Sequence, residues 1–326
     1  MKQSLLHHLI LLAASAAVFF TNLGATGLWD LDEALFASCS REMLDHHDWV
    51  VPRYNNEVFY DKPPLMFWLM MASFKALGTS ELAARLPMAL LATLTAIVTY
   101  HIGRRLFRPE VGLWAGLIVC STIIFTVSAR AATVDAALAC FTAMAMGVYV
   151  FKAFPAGGRG QRAEGGENTN NSTAYCLAPT AYYFLPQAWW VYASVGALLG
   201  VAVLGKGPVG LLLPTLALLA FLLIENAPAV AETSDPHNPS WANWLRHLML
   251  QAWAAFHPRQ IIRITWAMRP LVALTAAAVV ALPWYVLVTL QTHGDWLQQF
   301  FYKYNIGPFV KPFLGHRGPF YYHFLV

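Results

Sequence analysis

The feature that most constrains this chain is the way its apolar residues are blocked. They fall in runs of about 17–22, the length that carries an α-helix across the hydrocarbon core of a bilayer. Such runs lie near residues 5–23, 83–101, 111–128, 134–151, 187–204, 208–224 and 267–290, and an eighth opens near Phe320. Composition agrees: 58% of residues are apolar and only 12% charged, too few charges to cover a soluble surface. Intrinsic disorder needs the opposite balance. The sequence predicts an all-α polytopic membrane protein.

The stretch Leu9–Phe20 has the length of a signal-peptide core. It reads instead as part of a first span, because Leu5–Leu23 is long enough to cross and further spans follow. Residues 1–326 then form one transmembrane domain, read as the N-terminal portion of a longer protein because the eighth span is cut short. The formal charge of +4 has no dense basic run, which speaks against a nucleic-acid partner. Cys39, Cys120, Cys140 and Cys176 are far apart and form no C-x-x-C pair. Neither a zinc knuckle nor a disulfide framework is indicated.

Orientation follows from the short connection Gly103–Pro109, which carries Arg104, Arg105 and Arg108 and belongs on the cytoplasmic side by the positive-inside rule. Loops then alternate, so that 28–80, 129–133, 205–207 and 291–319 face the other way. Of the cytoplasmic loops, 153–186 has the Gly- and Asn-rich composition of a flexible linker, and its sequons at Asn170 and Asn171 read as chance. The loop 225–262 holds an amphipathic stretch over 241–256, with Trp241, Trp244, Leu245, Leu248, Ala252 and Phe256 on one face. That pattern predicts a helix lying in the membrane interface.

The first outward loop, 28–80, is the richest. Asp30 and Glu33 have capping-box spacing, and beyond them Leu35, Phe36, Cys39 and Met43 share one helical face. Pro63-Pro64 opens a second helical stretch, Leu65–Leu77, with Lys75 in its last turn and Gly78 as C-cap. It is too short to span, and both stretches read as interfacial helices.

Ionisable residues collect at the span ends on this same side: Asp30, Asp32, Glu33, Asp61, Lys62, Arg130, Asp135 and Lys206. Singly, each suits a cap or a snorkelling contact. Together, charges at such depth call for pairing or a wet cavity. Their types suit transfer of a group from a lipid phosphate. Cations hold the departing phosphate, a carboxylate activates an acceptor hydroxyl, and further carboxylates favour oxocarbenium character at a sugar's anomeric carbon. No Walker-type nucleotide motif is present.

At these residues the chain resembles the polyprenyl-phosphate-dependent type-C glycosyltransferases, of the 4-amino-4-deoxy-L-arabinose transferase and family 39 group. The resemblance runs in order through Leu28–Glu33, Ser40–Leu44, Asp48–Pro52, Tyr60–Leu65, Ala84–Pro87, Thr133–Asp135, Lys206–Pro208 and His316–Tyr322. It implies a type-C glycosyltransferase-like transmembrane helix bundle with interfacial helices in the first periplasmic loop. The implied setting is the bacterial inner membrane, with the active site facing the periplasm. Asp32 would be the catalytic carboxylate and Asp135 a second one. Lys62, Lys206, Arg130, Tyr321 and Tyr322 would bind the donor phosphate, with Glu33, Asp61 and His316 in support. The implied partners are a polyprenyl-phosphate-linked sugar donor, a lipid or glycan acceptor (lipid A or lipopolysaccharide foremost) and membrane lipids. The resemblance implies no required cofactor, with Asp61 either positioning the lysines or holding a divalent metal. The sequence departs from the aminoarabinose enzymes at Leu35 and Phe36, where they carry Arg-Tyr, and over Lys303–Phe309, which lacks their His and Arg. A transporter is the competing reading, but no internal repeat appears and the charges sit at span ends rather than the midplane.

Overall fold

The computed structural model describes residues 2–29, 32–154, 184–228 and 241–307. Asp30, the sequons at Asn170 and Asn171, Cys176, His316, Tyr321, Tyr322 and the eighth span lie outside the described residues.

Helix α1 (Lys2–Ser15) continues as a π-helical turn, Ala16–Phe20. In the first loop come α2 (Glu33–Asp45), a two-stranded hairpin β1 (Arg53–Tyr54) and β2 (Glu57–Val58), and α3 (Leu65–Leu77). Then follow α4 (Glu81–Leu106), α5 (Pro109–Ser121), α6 (Ile123–Arg130), α7 (Asp135–Ala153), α8 (Trp189–Lys206) and α9 (Val209–Glu225). The described chain closes with α10 (Trp241–Ala255), α11 (Pro258–Ala267), α12 (Pro270–Gln291) and α13 (Asp295–Gln298), the last continuing as a π-helix, Gln299–Ile306.

Among the described residues five helices are long and apolar enough to cross a membrane: Gln3–Phe20, α4, α7, α8 and α12. Helix α9 occupies the expected place of the sixth run but is 17 residues long. The run at 111–128 is not one straight span, as the sequence predicts; α5 and α6 meet at 65°. The physical reason lies at Ser121-Thr122, whose hydroxyls both donate to the Ile118 carbonyl. Such back-bonding offers the backbone an alternative to the helical ladder, and Thr122 takes an extended conformation between the two helices.

Spans pack closely where small residues let backbones approach, since lipid supplies no hydrophobic drive between helices. A Cβ added at Gly196 or Gly200 of α8 would overlap the carbonyls of Ala273 or Ala277 on α12. At the end of the bundle carrying Arg104 and Arg105, the Arg105 guanidinium donates to the carbonyls of Phe151 (3.0 Å) and Phe154 (2.9 Å) at the C-terminus of α7. A cation there satisfies orphan carbonyls and suits the helix dipole.

The first-loop helices form where the sequence places them, and α3 has the expected bounds. Phe36, Cys39 and Met43 of α2 are buried against Met66, Phe67, Met70 and Met71 of α3, while Leu35 is half-buried. The hairpin is an element the sequence reading leaves out. Asn55 and Asn56 both have positive φ (54° and 65°), the geometry of the two-residue turn that matches strand twist. Two indoles pin this loop to the last spans: Trp284 Nε1 donates to the Val50 carbonyl and Trp296 Nε1 to that of Phe59, both at 2.9 Å.

Candidate active site

Glu33 and Arg85 form the centre of the charged end. Glu33 is the first residue of α2, so its side chain meets the free amides of neighbouring connections. Arg85 sits one turn into α4, behind the N-cap Ser80, whose hydroxyl accepts from the Ala83 amide. The Arg85 fork donates to both Glu33 oxygens, Nε at 2.9 Å and Nη2 at 2.7 Å. Its remaining donors reach the carbonyls of Leu23 (3.0 Å), Thr26 (2.9 Å) and Gly27 (2.9 Å). Glu33 also accepts from the amides of Trp29 (3.0 Å) and Ala132 (2.6 Å). Both side chains are about 5% exposed or less. One ion pair thus ties together the connection after α1, the start of α2, the head of α4 and the turn between α6 and α7.

Burial alone would raise the Glu33 carboxyl. The Arg85 fork and the two amides outweigh it and hold the group below the usual carboxylate range. The sequence expectation of Glu33 as capping-box partner of Asp30 is therefore corrected. The helix opens at Glu33 with Asp32 as its N-cap residue, and the Glu33 carboxylate is held mainly by another helix.

Asp32, the candidate catalytic carboxylate, points the other way. Consecutive residues of a helix project about 100° apart, so anchoring Glu33 inward turns Asp32 outward. It is exposed, and among the described residues its carboxylate has no partner. Lys62 pairs with Asp61 (2.8 Å) and lies 5.9 Å above the ring of Phe36, one turn along from Asp32. Phe36 thus supplies Lys62 with a cation–π face.

Asp135 and Lys206 pair at 2.5 Å. Asp135 is the first residue of α7 and Lys206 the last of α8, so each charge sits at the helix end that favours its sign. Packing of Val134 and Leu65 against Gly205 brings this pair beside the base of α3. Gly207 has φ +71°, and an added Cβ would stand 2.7 Å from the Phe300 ring. Both facts make glycine necessary in the Lys206-Gly207-Pro208 turn.

Arg130 is placed differently from the other cations. Its guanidinium donates to the carbonyls of Val18 (2.7 Å) and Thr21 (2.8 Å), closing the π-helical end of α1. Tyr60 is half-buried, and burial together with the charges of Asp295 and Glu57 pushes its hydroxyl up. Between α8, α9, α12 and α13 lies an apolar cavity of about 630 Å³, lined by Val203, Pro208, Leu211, Ala281, Tyr285 and Leu297 among others. Two of its lining residues, Val203 and Pro208, stand on either side of Lys206 in the chain. Among the described residues no group of three or more His, Cys, Asp or Glu gathers to hold a metal, and the Asp61 carboxylate faces Lys62.

The sequence reading leaves Arg85, Tyr60, Trp284 and Trp296 without roles. Arg85 and Tyr60 carried a signal, since both fall in the segments Ala84–Pro87 and Tyr60–Leu65 that carry the resemblance. Trp284 and Trp296 are ordinary aromatic residues until the fold brings them to the first loop.

The helix order and the charged end define a polytopic membrane protein of type-C glycosyltransferase fold. ArnT from Cupriavidus metallidurans in the apo state superposes with a TM-score of 0.64 at 22% identity, covering 97% of this chain and 46% of that one. The same protein bound to undecaprenyl phosphate gives a TM-score of 0.61 at 22% identity, over 91% of this chain and 44% of that one. Within that class the chain resembles the polyprenyl-phosphate group read from its motifs. Residues 61–157 match the family model described as dolichyl-phosphate-mannose-protein mannosyltransferase. Undecaprenyl phosphate-alpha-4-amino-4-deoxy-L-arabinose arabinosyl transferase 2 of Pseudomonas fluorescens is 24% identical over 96% of this chain and 46% of its own length. Its namesake from Sodalis glossinidius is 31% identical over 42% of this chain and 25% of its own length. The chain spans less than half the length of these curated relatives.

Proposed function

We propose that the protein is an integral-membrane glycosyltransferase that moves a sugar from a polyprenyl-phosphate carrier to an acceptor at the periplasmic face of the bacterial inner membrane. The acceptor class favoured is a lipid A or lipopolysaccharide-type glycolipid. The observation that carries the reading is the arrangement at one end of the bundle. An exposed Asp32, without a partner among the described residues, stands on a rigidly anchored helix start, with Lys62 held at the head of α3 and Lys206 at the end of α8 beside an apolar cavity.

In this reading Asp32 takes the proton of the acceptor hydroxyl as that oxygen attacks the anomeric carbon. The carrier phosphate leaves as an anion held by Lys62 and Lys206. Each ammonium has three donors and shows one carboxylate partner here, so donors remain for phosphate oxygens while Asp61 and Asp135 fix the lysine positions. Tyr321, Tyr322 and His316 are proposed to complete the donor site, and Arg130 to brace it through α1. The apolar cavity beside Lys206 suits a hydrocarbon chain attached to that phosphate. No step is assigned to a metal.

The test is transfer by the full-length protein in proteoliposomes, with a sugar-linked polyprenyl phosphate compared against nucleotide sugars. Asp32→Asn is expected to lower the rate by about a hundredfold to ten-thousandfold with donor binding retained. Turnover of a nucleotide sugar without lipid carrier, or an active Asp32→Asn protein, would refute the proposal. Sidedness is checked separately. A thiol at Asn56→Cys should react with an impermeant reagent from outside the cell, and one at Gly165→Cys should not.

A further inference from the structure

Helices α10 and α11 lie at the end of the bundle opposite Asp32, and the proposed reaction makes no use of them. Among the described side chains of α10 only Ala255, in its last turn, is buried. The rest of its apolar face stands open, with Trp241 78%, Trp244 66% and Trp253 69% exposed. Helix α11 is tied down on one side only. Its Ile264 and Gln260 are buried, and Gln260 Nε2 donates to the Asn226 carbonyl at the end of α9 (2.7 Å). On its other side Trp266 is 69% exposed, near the exposed Ile262.

Charge complements this apolar face. From Trp241 to Gly294 the chain carries no aspartate or glutamate, although Glu225 closes α9 beside α11; Arg246, Arg259 and Arg269 fall within or just beyond the two helices. Arg246 lies two turns before Trp253 and about 20° from it around the helix axis, so the guanidinium shares the Trp253 side of α10, away from the Trp241–Trp244 stripe. An apolar face rimmed by arginines sits at the headgroup level of a bilayer, its aromatics among the acyl chains and its cations among the phosphates. The apolar face by itself binds any lipid. The arginines add preference for a negative surface, about fivefold for each one near it.

We propose that α10 and α11 form a docking surface for anionic phospholipid headgroups in the leaflet at the Arg104–Arg105 end of the bundle. The inference is independent of the transferase reading. It concerns the opposite end of the molecule and is tested without measuring activity.

The experiment places an environment-sensitive fluorophore at Met249→Cys, an exposed position of α10, in the full chain. A Cys176→Ser background is used, because Cys39, Cys120 and Cys140 are buried. The chain is reconstituted in mixed phosphatidylcholine and phosphatidylglycerol vesicles carrying a doxyl-labelled form of one lipid or the other at equal mole fraction. Doxyl-phosphatidylglycerol should quench more strongly, corresponding to at least about fivefold local enrichment. The preference should vanish at about 1 M salt, where screening acts within about 3 Å, and should fall about fivefold or more in Arg246→Gln/Arg259→Gln. The salt arm uses the unsubstituted arginines, so it stands even if that variant folds poorly. Equal quenching by both lipids at low salt would overturn the proposal, leaving an apolar anchor alone. Absence of quenching by either would also overturn it, showing the face in water or covered by protein.

Discussion

Replacing Arg85 with leucine should be among the most damaging single changes in the chain, and the structure sets the size. The substitution removes the bidentate partner of a carboxylate that is 4% exposed and leaves the carbonyls of Leu23, Thr26 and Gly27 without their donor. Breaking a buried ion pair from one side costs about 3–5 kcal/mol, because the remaining charge is uncompensated. The amides of Trp29 and Ala132 still hold Glu33, which keeps the expectation inside that range rather than above it. At 3 kcal/mol the folded-to-unfolded ratio falls roughly 150-fold. The double variant Glu33→Gln/Arg85→Leu removes the stranded charge and should be at least about 1 kcal/mol more stable than Arg85→Leu alone. The assay is reversible unfolding of the full chain in mixed micelles, followed by tryptophan fluorescence. An Arg85→Leu protein within about 0.5 kcal/mol of the parent, or a double variant less stable than the single, would refute the reasoning. The pH dependence has a definite sign. The folded Glu33 carboxyl lies below its ordinary 4.5, so its contribution is complete above about that pH and is lost as pH falls through the lowered folded value. Glu33→Gln should abolish that acid loss.

Lys206→Ala should separate stability from activity. Its ion pair with Asp135 is 40–45% exposed, so after solvent screening it is worth under about 1 kcal/mol in unfolding, while sugar transfer should fall at least about tenfold through weaker hold on the donor phosphate. Gly207→Ala should destabilise by about 1–3 kcal/mol from its positive-φ, glycine-only backbone alone, with a further loss from the Phe300 ring that Phe300→Ala relieves; the same unfolding assay checks both. Cys39 should resist maleimide at neutral pH in the folded chain, because burial, aided by the charge of Glu42, pushes its thiol up to about 12. Rapid labelling of Cys39 without unfolding would contradict the packing of α2 on α3.

Sequence alone placed most of the helices and showed which end gathers the charged side chains. Apolar runs of membrane-spanning length admit few other folds, because unpaired backbone groups are intolerable in lipid. Loop parity then put Asp32, Lys62, Asp135 and Lys206 on one side, and the first-loop helices and α10 were legible from periodicity. Tertiary structure decided what period and spacing do not encode. The run at 111–128 breaks at Ser121-Thr122 because two hydroxyls turn onto one carbonyl, an outcome that mean hydropathy does not register. Glu33 looked like a local cap by its spacing from Asp30, yet its strongest partner is Arg85, 52 positions away. Asp32 and Glu33 are chemically near-equivalent neighbours in the chain. Only the placement of α4 and the 131–134 turn buries one as a structural ion pair and leaves the other exposed, because a buried carboxylate persists only where donors from several elements converge on it.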